Sequence, residues 1–104
     1  MSILNHIKCQ DITPKNLYLQ LVVRAYLKKL LKVSSEFLKH IEGISKIIIC
    51  TDHHLRDVRG YYRLDNRSIY IVSGKVNGIS ILQVLLHEIG HHVNFSAGRL
   101  DPQT

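Results

Sequence analysis

Two imidazoles and a carboxylate stand within five residues of one another, in the segment His87-Glu88-Ile89-Gly90-His91. On an α-helix, residues four apart lie on one face, one turn above the other, so His87 and His91 can aim ring nitrogens at a single metal ion. Glu88 follows the first histidine and is turned about 100° from it. That position sets its carboxylate beside the metal without ligating it, ready to take a proton from a water the metal holds. This is the physical sense of the HExxH pattern, whose usual ion is zinc, here expected at one Zn2+ per chain. The chain is rich in histidine, with seven, yet a chance match would still arise with a probability of order one in a hundred. The alternative is a helix with surface histidines and an unrelated glutamate. His92 points away from the pair and reads as a surface or supporting residue. His53-His54, in a polar stretch, reads as a surface pair with a secondary metal site as the alternative.

The motif needs a helix, and the flanking sequence supplies one. Ser80-Ile81-Leu82-Gln83 matches a capping box, with Ser80 as N-cap and Gln83 at N3. The helix then runs to about Phe95 or Ser96, with Gly98 placed to end it. Val84, Leu85, Ile89 and Val93 give it an apolar face. Gly90 costs about 1 kcal/mol against alanine in mid-helix, which suggests a close-packing reason.

Upstream, residues 45–51 form a continuous run, β-branched at Ile47-Ile48-Ile49 and Thr51, which suits a buried strand. Residues 52–59 are polar and read as a loop. Tyr61-Tyr62-Arg63-Leu64 and Ser68-Ile69-Tyr70-Ile71-Val72, joined by the turn signal Asp65-Asn66, predict a hairpin. Tyr61 and Tyr62 alternate faces on such a strand, so one packs inward and the other faces the cleft or solvent. Thr13-Pro14 is a helix start, and a helical pattern continues to Ile41. Gln20, Arg24, Lys28 and Lys32 form a narrow polar stripe, which predicts a helix buried over most of its girth. Ser34-Ser35 is a possible break and Gly43 a stop. The expected architecture is one α+β domain spanning residues 1–104. A long N-terminal helix backs a small sheet of about three strands that includes the hairpin, and the HExxH helix follows.

Gly60-Tyr61-Tyr62, the turn, Ile69-Tyr70-Ile71, Gly74 and Leu85-Leu86-His87-Glu88-Ile89-Gly90-His91-His92-Val93 together resemble the active-site half of the gluzincin branch of zincin metallopeptidases. The order is similar to that of anthrax-lethal-factor-like peptidases, where a Gly-Tyr-Tyr segment precedes a strand and an HExGH helix, and to the one-domain minigluzincins. The resemblance covers about a third of the chain. It implies a zincin-like N-terminal subdomain, with zinc held by His87 and His91 and with Glu88 as general base and acid. It also implies an extended peptide substrate lying along the Tyr61-Tyr62 strand. The implied activity is that of a zinc metalloendopeptidase. The chain departs from the family in one respect. A catalytic zinc takes three protein ligands, and gluzincins draw the third from a glutamate on a later helix. No glutamate follows Glu88, so the C-terminal subdomain is expected to be lacking. Asp101 is the remaining candidate ligand, against an ordinary tail carboxylate. A residue stabilising the oxyanion is missing as well. The rival expectation is therefore a degenerate or latent zincin-like domain that binds protein or nucleic acid.

The net charge of +6 would attract nucleic acid, anionic lipid or acidic protein. The densest cluster, Lys28, Lys29 and Lys32, reads first as a solvated helix face, which leaves nucleic acid weakly supported. Two cysteines, Cys9 and Cys50, give no disulfide framework, and Cys50 at the end of an isoleucine run reads as a buried thiol. No apolar run nears the roughly 20 residues that span a bilayer, and no signal peptide is visible at the N-terminus. A cytoplasmic protein with no membrane partner is expected, acting on peptide or protein.

Overall fold

The computed structural model describes residues 3–51 and 58–96. A 3-10 turn, Ile3–His6, leads into strand β1, Ile7–Cys9. Helix α1, Pro14–Val33, is followed by α2, Ser35–Ile41, and β2, Lys46–Cys50. The hairpin strands are β3, Gly60–Arg63, and β4, Ser68–Val72. A 3-10 turn, Ser73–Lys75, precedes α3, Ser80–Ser96. Among the described residues this is a small α+β domain of three α-helices and a four-stranded mixed sheet in the order β1-β2-β4-β3. β1, β2 and β4 run parallel, and β3 is antiparallel to β4 at the sheet edge.

The register divides the sheet into two faces. Ile7, Ile47, Ile69 and Tyr62 stand opposite one another in one row, with Ile49, Ile71 and Gly60 in the next row on the same face. This face meets Leu19, Val23 and Leu27 of α1 and Ile81, Val84, Leu85 and Ile89 of α3 in one core. The other face carries Lys8, Ile48, Tyr70 and Tyr61, with the Tyr61 and Tyr70 rings stacked at 4.8 Å. The helices therefore form one layer on one side of the sheet.

Three expectations change. The sheet has four strands, not about three. β1 is only three residues long, too short for periodicity to reveal, and exists through its parallel pairing with Ile47–Ile49. α1 is buried along one face, not over most of its girth. Only Asn16, Leu19, Val23 and Leu27 are buried, whereas Leu17, Tyr18 and Leu21 stand exposed because a single sheet covers the helix from one side. The start of α3 is capped earlier than Ser80-Gln83 suggests. Asn77 Oδ1 accepts from the Ser80 backbone N–H at 2.8 Å, and the Asn77 N–H donates to Ser80 Oγ at 2.9 Å. Ser80 is thus the reciprocal partner of the cap and not the cap itself. The break at Ser34 is present, and Gly43, with φ +88°, ends the helical segment. Thr13 caps α1, its side chain accepting from the Asn16 N–H.

Candidate metal centre

His87 and His91 both lie on the outward side of α3, since its buried face is formed by Ile81, Val84, Leu85, Glu88, Ile89 and His92. Their Nε2 atoms converge to 3.1 Å, with the rings edge-on at 4.7 Å between centroids. Two nitrogens bound to one tetrahedral zinc at about 2.0–2.1 Å would stand roughly 3.3 Å apart, so the pair is spaced to share an ion. Without one, the same approach is an N–H···N hydrogen bond between the two rings.

Glu88 turns inward from the histidines and is only 3% exposed. Burial raises its carboxyl from the usual 4.5 to about 7, with His87 acting in the opposite direction. Its Oε1 has no hydrogen-bond partner. Among the described residues only Asn16 Oδ1 shares that condition. An orphaned carboxylate oxygen is costly, about 1–3 kcal/mol. Glu88 differs from Asn16 in lining a cleft of about 370 Å³, next to His87. Val58, Arg59 and Gly60 line that cleft from the strand side, Gln83 and Val84 from the helix side.

Gly60 makes the close approach of α3 to β3 possible. A Cβ there would sit 2.7 Å from Val84 Cγ1 and 2.8 Å from the Tyr70 carbonyl oxygen, with Glu88 Cγ at 3.7 Å. Gly90 has the opposite character. It is exposed, and a Cβ would meet nothing within 4 Å. The expectation of close packing there is therefore overturned; the residue sits on the same open side of α3 as His87.

His92 is a buried anchor and not a surface residue. Its Nε2 lies 2.6 Å from the Glu42 carbonyl, which can only accept, so Nε2 carries the proton. The Tyr62 hydroxyl then donates to Nδ1 at 2.7 Å. Burial lowers the pKa of His92 and keeps the ring neutral. Tyr62, held this way, packs against the core, while Tyr61 lies on the opposite face of the sheet. Neither tyrosine side chain lines the cleft. The backbone of their strand is placed differently. The Val72 N–H donates to the Arg59 carbonyl at 2.7 Å, so alternate residues Gly60 and Tyr62 turn their own N–H and C=O groups to the outer edge of β3, which no other described strand pairs.

Asp101, His53 and His54 lie outside the described residues. No group of three metal-ligating side chains occurs among those described. Cys9 and Cys50 carry no disulfide, and Cys50 is buried as expected. Sequence reasoning missed Arg59, whose place beside the cleft no local pattern announces, and the His92–Tyr62 link, which joins residues 30 apart in the chain. Comparison with protein-family models, curated proteins and solved structures finds no match.

Proposed function

We propose that this chain is a zincin-like domain acting as a zinc-dependent endopeptidase of the HExxH type. The observation that carries the reading is the convergence of His87 and His91 at 3.1 Å beside a buried carboxyl with one oxygen unpartnered. His87 and His91 would hold one zinc. Bound zinc supplies Lewis-acid polarisation of a carbonyl and makes water a stronger acid. Glu88 accepts the proton of the attacking water and passes it to the departing amine. Its raised pKa suits both halves of that exchange near neutral pH. Gly60 and Tyr62 offer outward backbone groups on an edge strand, to which an extended peptide can add by β-pairing. A third ligand is needed to complete the site; Asp101 is the candidate within this chain.

A latent or degenerate domain that binds nucleic acid or protein is the second reading. It is favoured by α1, which carries Lys15, Arg24, Lys28, Lys29 and Lys32 and no acidic residue. Glu88→Gln tests the first reading. In zinc-loaded protein it should leave fold and zinc content intact and cut peptide hydrolysis by about 10²–10⁴-fold. Hydrolysis equal to wild type would remove Glu88 from the mechanism, and absence of hydrolysis in the wild type would favour the second reading.

A further inference from the structure

The cleft beside His87 and Glu88 has a charge that the proposed chemistry does not use. Arg59 lines it, is exposed, and makes no ion pair among the described residues; the one pair found there is Arg63 with Asp65. The backbone of Arg59 is fixed, since its carbonyl accepts from Val72 at the end of the β3–β4 ladder. Its guanidinium thus extends from a rigid point. Val58 and Val84 give the cleft apolar wall, and Gln83 adds a neutral amide. Among the described residues, the only carboxyl that lines it is Glu88, which is buried. Gly60 contributes no side chain to the cleft, and this lets α3 pack closely on β3 beside it.

We propose that Arg59 makes this cleft a subsite for a substrate side chain bearing a carboxylate, its aliphatic stem against Val58 and Val84. The inference rests on the peptidase reading for its substrate, an extended peptide paired to β3. Side chains of such a peptide alternate in direction, so every second one is turned to the same face as the cleft. A guanidinium suits a carboxylate through paired N–H donors. Walls of valine suit a methylene stem and disfavour a second buried charge without a partner. The subsite therefore favours glutamate over its neutral amide and discriminates against lysine, whose ammonium would meet Arg59.

The test measures binding separately from cleavage. Three labelled peptides that differ at one position, glutamate, glutamine or lysine, are titrated by fluorescence anisotropy with the full chain, metal-free and zinc-loaded. The glutamate peptide should bind about fivefold or more tighter than the glutamine peptide, a difference that fades with added salt. Arg59→Ala should abolish the preference, and Arg59→Glu should transfer it to the lysine peptide. Circular dichroism should show all variants folded, since the side chain is exposed. Equal affinity for glutamate and glutamine peptides, a preference that survives Arg59→Ala, or no saturable binding of any peptide overturns the subsite. Cleavage of the same peptides is scored in parallel. Binding with the predicted preference but no cleavage by the zinc-loaded chain leaves the subsite standing and counts against the peptidase reading. Cleavage without charge preference does the reverse.

Discussion

Glu88 is held more tightly to its proton in the folded chain than in the unfolded one, because burial raises its pKa to about 7. Its contribution to stability is therefore complete below pH about 4.5 and is lost as pH rises through about 7. Metal-free Glu88→Gln should consequently be more stable than wild type at pH 8, by roughly 2–3 kcal/mol, with the gap closing towards pH 4.5. Urea unfolding at several pH values measures this. A variant no more stable than wild type at pH 8 would mean that Glu88 is not desolvated as described. Saturating zinc should narrow the gap, since a nearby cation favours the ionised carboxylate. Gly60 is the other residue on which the site depends. Gly60→Ala should push α3 off β3 and destabilise the domain by about 1–3 kcal/mol, the usual range for overpacking. Its partner atoms are a backbone carbonyl and a β-branched methyl, neither of which swings aside cheaply. Thermal unfolding of the variant at or above the wild-type midpoint would show that the contact is looser than the geometry implies.

At the scale of elements, α3 depends on Asn77 for its start. Asn77→Ala should cost about 1 kcal/mol by removing the acceptor for the Ile79 and Ser80 N–H groups. Gln83→Ala should cost no more than about 0.5 kcal/mol, as for an ordinary surface substitution. The reverse order in chemical denaturation would restore Ser80 as the cap. The same contrast explains what was legible beforehand. A capping box was visible in the sequence, but Asn77 and Ser80 share the spacing of Ser80 and Gln83, and only the chain path selects the pair that bonds. The hairpin, the buried isoleucine strand and the break at Ser34 were readable because each is local: a turn pair, a β-branched run, two serines between helical stretches. β1 was not readable, because three residues carry no period and their pairing partner lies 40 residues on. In α1 the polar stripe was real, but a stripe records which positions are polar. It does not record how many layers cover the helix. Leu19 at 0% and Leu21 at 64% exposure, two residues apart, show the difference. Leu19→Ala should cost about 2–5 kcal/mol.

At the scale of the molecule, the layer of helices on one face of a mixed sheet brings His87, His91 and Glu88 to the side of β3, the edge strand among the described residues. The histidine pair and the adjacent carboxylate were visible in the sequence because side chains at i and i+4 need only a helix to share a face. Arg59 was not, because it reaches the same cleft from a strand end through tertiary packing. The anchoring of α3 by His92 to Tyr62 and to the Glu42 carbonyl likewise joins three separate elements. The account stands on the reading of His87 and His91 as ligands of one ion, and calorimetric zinc titration of the full chain tests this most directly. Wild type and Glu88→Gln should each bind about one zinc, while His87→Ala and His91→Ala should each lose the site. Undiminished one-to-one zinc binding in both histidine variants would contradict the account, as would a wild-type chain that binds none at millimolar zinc.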